Sequence, residues 1–131
     1  MREFTDCIFV GIGGFAGSIA RFLVGRAEAA WFATSFPMST FIVNIVGCFL
    51  VGVISPLAAA KLLAHSETPR LMLIVGFAGA FTTFSTFAFD TNELLEEGSW
   101  KFASLNIIAT LTVGFIALRI GLFLARKYIT G

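Results

Sequence analysis

The chain has 131 residues, of which 57% are hydrophobic and 13% are charged, and its formal net charge is +1. A soluble domain typically carries about 25% charged residues, so this composition excludes an ordinary soluble protein and a disordered one. The nearly neutral charge provides no basic surface for nucleic acid. At about 20 residues per span, the length is too short for a large transporter and suits four membrane helices with short connections.

Four apolar stretches predict an all-α membrane protein with four transmembrane helices in one domain, residues 1–131. Backbone polar groups in lipid must form hydrogen bonds within their own segment, and a continuous apolar run meets this requirement as a helix. In chain order, the predicted spans cover residues 7–24, 38–60, 71–89 and 102–124.

The first span is rich in glycine and contains one charged residue, Arg21. This side chain either extends toward the headgroups or fixes a cation at the mouth of an anion pathway, and its position alone leaves both alternatives open. Gly13 and Gly17 form a GxxxG pattern. This pattern predicts close contact with another helix and does not identify that helix.

The second span contains one amide side chain, Asn44. It either forms an interhelical hydrogen bond, worth roughly 0.6–2 kcal/mol, or presents its amide to a wet vestibule. An amide N–H can donate to an anion, whereas an ionised carboxylate cannot. Spacing alone favours the interhelical bond. Cys7 and Cys48 both lie in apolar runs without the spacing of a zinc site.

The third span has a polar centre within the string GFAGAFTTFSTF, residues 76–87. Hydroxyl side chains can bond nearby carbonyls, so this string predicts a third helix that is broken at mid-membrane. Broken helices hold ions in other transport proteins. Phe84 and Phe87 share one helix face because they are three residues apart. The hydroxyl residues beside them favour a pathway lining over simple packing, and they are Thr82, Thr83, Ser85 and Thr86.

The distribution of charge weighs against two other classes of protein. No acidic residue lies within the first, second or fourth span, and Asp90 follows the third. A proton-coupled exporter ordinarily needs a carboxylate in the membrane, which argues against a small four-span multidrug exporter. The only histidine, His65, is expected to be an exposed loop residue, and no enzyme is predicted. A non-transporting membrane assembly subunit is the other alternative. Arg119 is expected to extend toward the headgroups.

Three strings, GGFAGSIAR, STFIVNIVG and GFAGAFTTFSTF on spans 1 to 3, resemble the Fluc/CrcB family of bacterial fluoride channels. The resemblance implies a passive, fluoride-selective channel of the bacterial cytoplasmic (inner) membrane that exports fluoride and so protects the cell from its toxicity. It also implies an antiparallel, dual-topology homodimer in membrane lipid, with two pores built from both subunits. Neither enzymatic activity nor a nucleic-acid partner is expected.

The resemblance also implies roles for individual residues. Two phenylalanines would face the ion, an amide and an arginine would lie in the vestibule, and hydroxyl groups would form a polar track opposite the rings. In the fourth span, Asn106 and Thr110 occupy positions where further polar lining is expected. The implied fluoride pathway consists of Phe84, Phe87, Asn44, Arg21, Ser85, Thr86 and Thr110.

A structural sodium ion (Na⁺) at the dimer centre is implied as the only cofactor. Its ligands would be the backbone carbonyls of Gly79 and Thr82 from each subunit. Two residues depart from the family pattern: Asp90 stands where Glu is common, and Ala80 adds a methyl group near the expected sodium. Outside the spans, five Lys or Arg residues lie on the side of the termini and two on the other side. This excess of positive charge on the side of the termini favours termini in the cytoplasm. It also leaves open a heterodimer with a second subunit whose positive charges lie mainly on the other side.

Overall fold

A computed structural model of the protein describes residues 2–31, 34–63 and 67–131. His65 lies outside the described residues. Within those ranges the chain is helical and contains no strand. The four predicted spans are confirmed, because four stretches are long and apolar enough to cross a membrane: Glu3–Ala30, Met38–Ala59, Arg70–Glu96 and Trp100–Thr130.

Three of these stretches extend beyond the predicted bounds because their polar ends remain helical. Helix α1 covers Arg2–Trp31 and α2 covers Met38–Ala59. The third span has two parts. Its first part, α3 (residues 70–81), begins as a π-helix, Arg70–Ala78, and ends in an α-helical turn, Gly79–Phe81. Its second part is α4, Phe84–Glu96, and the fourth span is α5, Trp100–Thr130.

Local features explain where α2 begins and ends and where α4 ends. The first N–H groups of a helix lack partners within the helix. At the start of α2, the N–H of Met38 donates to the Glu28 carboxylate of α1 at 2.6 Å. Pro56 lies in the last part of α2, which ends three residues later at Ala59. Gly98 separates α4 from α5 with a φ of 75°, a conformation that glycine adopts without steric cost.

Glycines bring the helices together in two close pairs, α1 with α3 and α2 with α5. A Cβ atom at Gly13 would meet the carbonyl of Met72, and one at Gly17 would meet the carbonyl of Phe77. The partner of the GxxxG pattern is therefore α3. In the other pair, a Cβ atom at Gly121 would meet the carbonyl of Phe49. Close backbone approach of this kind is how membrane helices gain packing energy without a hydrophobic driving force.

The interior of this bundle is small, and most large apolar side chains are exposed. The largest completely buried side chains are Val43 and Asn106. An apolar exterior is what a lipid environment requires, since lipid tails solvate such side chains well. The protein is accordingly a multi-pass membrane protein. Where the structure describes the chain, its buried polar residues are few, and they are the first place to look for a functional site.

Candidate functional site

The site is centred on two extended residues between α3 and α4. Thr82 has φ −80° and ψ 161°, and Thr83 has φ −153° and ψ 120°. The hydroxyl of Thr82 donates to the carbonyl of Ala78 at 2.9 Å, which satisfies a group at the end of α3. The hydroxyl of Thr83 accepts the N–H of Thr86 at 3.1 Å and so caps the start of α4.

Asn44 of α2 forms two hydrogen bonds to the backbone of Thr83. Its Nδ2 donates to the Thr83 carbonyl at 3.0 Å, and its Oδ1 accepts the Thr83 N–H at 2.8 Å. The amide thus bonds the extended backbone between α3 and α4, and Asn44 also lines a cavity. An amide nitrogen carries two N–H groups, so one remains for a further acceptor.

At the break several carbonyls lose their helical partners, and those of Gly79 and Thr82 are among them. In a continuous α-helix, the N–H of residue 83 would bond the carbonyl of Gly79, and the N–H of residue 86 would bond that of Thr82. Here the Thr83 N–H donates to Asn44, and the Thr86 N–H donates to the Thr83 hydroxyl. The oxygens of Gly79 and Thr82 are thus left without these helical partners.

Arg21 reaches one of the released carbonyls. Its Nη1 donates to the Thr82 oxygen at 3.3 Å, so the guanidinium points to the helix break. It also lines a cavity of about 420 Å³, whose walls include hydroxyl side chains from three helices and from the break. These hydroxyl residues are Ser18, Ser39, Thr40, Thr83 and Thr86. We call this space the polar cavity. The hydroxyls of Thr40 and Thr83 donate to Asp90 and Thr86, so the donors beside the cation are those of Ser18, Ser39 and Thr86. A cation beside such donors attracts a small anion.

An acidic residue lies beside the polar cavity and is bound to its wall. The hydroxyl of Thr40 donates to the Asp90 carboxylate at 2.7 Å, which joins α2 to α4. Asp90 itself does not line the polar cavity. The Asp90 carboxylate therefore accepts a hydrogen bond from Thr40, a residue that lines the cavity.

A second cavity of about 490 Å³ lies beyond the break, and its lining is mainly apolar. We call it the phenylalanine cavity, because Phe84 and Phe87 line it with ring centroids 5.6 Å apart. Phe87 is 7% exposed, whereas Phe84 is 76% exposed. Asn44 and Thr110 also line this cavity, and Thr83 lines both cavities. Thr83 is therefore a wall residue of both spaces.

The remaining hydroxyl residues form a short chain at the start of α4. The Thr83 hydroxyl donates to the Thr86 hydroxyl at 2.9 Å and lies 3.4 Å from the Ser85 hydroxyl. Both Ser85 and Thr86 are exposed. Thr86 lines the polar cavity, whereas Ser85 lies next to Thr83 and lines neither cavity.

Asn106 lies behind the wall of the phenylalanine cavity, although it was expected to be part of the lining. It is completely buried and donates from Nδ2 to the Thr91 hydroxyl at 2.9 Å. The Thr91 hydroxyl in turn donates to the carbonyl of Phe87 at 2.7 Å. On its other side, Asn106 accepts a hydrogen bond from the Thr110 hydroxyl at 3.3 Å. A buried polar chain thus joins the backbone of Phe87 to α5.

Thr40 and Thr91 are parts of the site that were not predicted from the sequence. Thr40 precedes Asn44 by four residues and Thr91 follows Phe87 by four, so each lies on the same helix face as an expected site residue. That spacing was the available signal. It did not identify their partners, Asp90 and Asn106, which are 50 and 15 residues away in sequence.

The chain is similar to a known protein family and to individual named proteins, and the two comparisons are consistent. The sequence model of a family described as "CrcB-like protein, Camphor Resistance (CrcB)" matches residues 8–122. The chain is 46% identical over 127 residues to a protein of Prosthecochloris aestuarii, with 97% of this chain and 98% of that protein covered. It is 45% identical to a protein of Chlorobaculum tepidum, with 94% and 96% covered. It is 40% identical to one of Maridesulfovibrio salexigens, with 94% and 97% covered. All three are named "Fluoride-specific ion channel FluC".

Proposed function

The chain belongs to the CrcB-like protein family, and from this premise we propose that it is a passive, fluoride-selective ion channel. It is a channel and not an enzyme. It exports cytoplasmic fluoride across the bacterial cytoplasmic (inner) membrane and so protects the cell from fluoride toxicity. One observation carries the proposal for this chain: a polar cavity with a cation and a phenylalanine cavity share the wall residue Thr83, at a break whose backbone is bound by Asn44. The family also argues against a multidrug exporter and an assembly subunit.

Fluoride enters the pathway through the polar cavity. The guanidinium of Arg21 and the hydroxyl of Thr86 line that cavity and offer donors that replace part of the hydration shell. The free N–H of Asn44 and the hydroxyl of Ser85 act next to the break. Because these donors are few and only one carries a full charge, the ion is held without being trapped, which conduction requires.

The rings of Phe84 and Phe87 carry the ion through the apolar part of the pathway. A phenyl ring has a positive edge and a negative face, so rings presented edge-on attract an anion weakly. Thr110 adds a hydroxyl to the same wall. That hydroxyl donates to Asn106 Oδ1 at 3.3 Å. A potential that is negative inside drives the anion outward by about 2.3 kcal/mol per 100 mV, so no energy coupling is needed.

The functional unit is an antiparallel, dual-topology homodimer with two pores, in which the third helix of each subunit is broken at mid-membrane. The exposure of Phe84 supports this, because a ring that is 76% exposed needs a second wall before it can enclose an ion. Gly79, at the end of α3, is exposed as well. Both residues belong to the surface that the partner subunit covers.

A structural sodium ion at the dimer centre fits the residues present. A hard cation such as sodium binds oxygen ligands, and the carbonyls of Gly79 and Thr82 are among those that lack their helical partners at the break. Arg21 occupies one lone pair of the Thr82 oxygen, and a carbonyl has two. The Ala80 methyl lies toward Gly14 of α1 and leaves Gly79 uncovered. Among the described residues, no three His, Cys, Asp or Glu side chains are grouped for a metal.

Fluoride release from liposomes tests the proposed activity. Purified protein is reconstituted into liposomes loaded with potassium fluoride or potassium chloride, and a potassium ionophore supplies the counter-ion. We expect rapid release of fluoride and retention of chloride, with protein-free liposomes as the control. Fluoride that stays trapped in the protein-containing liposomes would overturn the proposal.

Labelling from one side of the membrane tests the dimer. A single cysteine is introduced as Thr130→Cys in a chain that also carries Cys7→Ser and Cys48→Ser. In intact cells, a membrane-impermeant thiol reagent should label about half of the molecules if the two subunits have opposite orientations. Labelling of all or none of them would contradict dual topology and favour a fixed orientation with a different partner.

A further inference from the structure

The C-terminal part of α5 carries a basic groove that no feature of the fluoride pathway uses. Arg119, Arg126 and Lys127 line a space of about 380 Å³ together with Leu122, Phe123 and Thr130. We call it the α5 basic groove. It shares no residue with the polar cavity or the phenylalanine cavity.

Nothing in the described part of the chain neutralises these three cations. One ion pair is present among the described residues. It joins Arg70 to Glu67 at 3.7 Å, and neither residue belongs to α5. Helix α5 contains no Asp or Glu at all. The negative end of the helix dipole favours a cation in the last turn, which accounts for Lys127. That effect fades within one turn, so it does not account for Arg119, which lies eleven residues before the end of α5.

The spacing along α5 places the two arginines on one face of the helix. Arg119 precedes Arg126 by seven residues, which places it on the same face and about 10 Å deeper along the helix axis. Its neighbours, Leu118 and Ile120, are apolar, so its cation has to extend along the helix toward the headgroups. Arg126 already lies near the polar end of α5. Arg119 and Arg126 line the same space, so one ligand in it can contact both cations.

Between these cations the groove is apolar. Leu122 and Phe123 lie on α5 between Arg119 and Arg126, and Phe123 is 66% exposed. A ligand that fits has a phosphate beside the cations and a hydrocarbon chain beside Leu122 and Phe123. Arginine is well suited to the phosphate because its planar fork forms paired hydrogen bonds with phosphate oxygens.

We propose that the α5 basic groove binds an anionic phospholipid of the surrounding bilayer through its phosphate group. Charge complementarity selects this ligand, since three unpaired cations favour an anionic headgroup over a zwitterionic one. The lipid holds the end of α5 at the membrane surface. This role is independent of ion conduction, because the groove lies apart from both cavities.

Thermal unfolding of the purified full-length protein tests the proposal. Midpoints are measured in detergent with added phosphatidylglycerol, with phosphatidylcholine, and with soluble glycerol 3-phosphate. We expect phosphatidylglycerol to raise the midpoint by roughly 2–8 °C over phosphatidylcholine, and glycerol 3-phosphate to have no effect. An equal rise with both lipids, or with the soluble phosphate, would overturn the proposal.

Substitutions assign the effect to the groove. In a triple variant with Arg119→Gln, Arg126→Gln and Lys127→Gln, the response to phosphatidylglycerol should disappear. A control variant with Arg26→Gln and Lys101→Gln removes two cations elsewhere and should keep the full response. If the triple variant does not fold, Arg126→Gln alone should at least halve the response. A full response in the triple variant, or in Arg126→Gln, would show that the groove is not the lipid site.

Discussion

Asn44 replaces a helical hydrogen bond of Thr83 with a bond from another helix. Its Oδ1 accepts the Thr83 N–H at 2.8 Å, and its Nδ2 donates to the Thr83 carbonyl at 3.0 Å. One side chain of α2 thus holds the backbone between α3 and α4 in an extended form. Two consequences follow: the extended segment is bound to α2, and the Thr83 N–H is not available to the Gly79 carbonyl while it donates to Asn44.

Removal of the amide should therefore abolish conduction. In Asn44→Ala, the Thr83 N–H can return to the Gly79 carbonyl, and both the polar cavity and the phenylalanine cavity lose their shape at the break. We expect fluoride efflux to fall by at least tenfold and the free energy of unfolding to fall by about 1–3 kcal/mol. Asn92→Ala is the control, because Asn92 is exposed and bonds only Glu96 of its own helix. Efflux from Asn44→Ala that matches the control would contradict the role of the amide.

The two pathway phenylalanines should be sensitive to loss of their ring edges. Phe84→Ile and Phe87→Ile keep apolar bulk and remove the aromatic quadrupole, so each should reduce fluoride efflux while the protein still folds. Phe15→Ile is the matched control for Phe84→Ile, since Phe15 is 72% exposed and Phe84 is 76% exposed. Efflux is measured in liposomes at equal protein density. If both pathway variants release fluoride as fast as the wild type, the two rings are not part of the pathway.

The sequence predicted those parts of the fold that depend on local pattern. The four spans follow from hydropathy, and the string around Phe84 carried the family resemblance. Arg21 was left with two alternatives because a position in a span does not determine where a long side chain points. Its bond to the Thr82 carbonyl depends on α1 and the break being neighbours, which no periodicity encodes.

Contacts between distant segments were beyond what the sequence could predict. The GxxxG of Gly13 predicts a close helix contact, and only the structure identifies α3 as the partner. Asn106 was expected in the pathway lining because it is polar and lies in a span. It is instead buried behind Thr110, because the Thr91 hydroxyl on the neighbouring helix takes its amide hydrogen. Pairing of this kind is set by helix packing and not by spacing along one helix.

Sodium should stabilise the protein, and this effect should require Asn44. If the Gly79 and Thr82 carbonyls bind sodium, replacing sodium with N-methylglucamine should lower the thermal unfolding midpoint of the wild type. Asn44→Ala returns the Gly79 carbonyl to the helix and should lose the difference between the two buffers, whereas Asn92→Ala should keep it. An unfolding midpoint that is the same with and without sodium in the wild type would contradict the sodium site.

The buried chain from α4 to α5 should show energetic coupling. In a double-mutant cycle, Thr91→Val and Asn106→Leu each remove one side of a buried hydrogen bond and leave the other side unpaired. Together they remove both, so the double variant should lose less stability than the sum of the single variants. Cycles of this kind in a membrane protein give coupling of about 0.6–1.7 kcal/mol.

Unfolding equilibria in bicelles measure this coupling, and a second cycle provides the control. Thr112 lies on the exposed face of α5, so Thr112→Val paired with Thr91→Val should give additive effects. Additive effects in the Thr91 and Asn106 cycle as well would show that their bond adds no stability beyond that of the separate residues.

The contact between α1 and α3 should tolerate no methyl group at Gly13. A Cβ atom there would meet the carbonyl of Met72 and lie 2.9 Å from the Phe77 nitrogen, and both are backbone atoms that cannot rotate away. Two residues earlier, a Cβ atom at Gly11 would have no atom within 4 Å. Gly13→Ala should therefore cost about 1–3 kcal/mol of stability through overpacking. Gly11→Ala should be neutral or stabilise by up to about 1 kcal/mol, because alanine favours a helix.

This pair separates close packing from helix propensity, since both substitutions add the same methyl group to the same helix. Thermal unfolding in detergent and retention of the folded species on size exclusion would report the difference. If the two variants have equal stability, α1 and α3 do not approach each other as closely as the structure indicates at Met72 and Phe77. A loss confined to Gly13→Ala means that the small residues of α1 are required for the position of α3, and through it for the start of the break at Thr82.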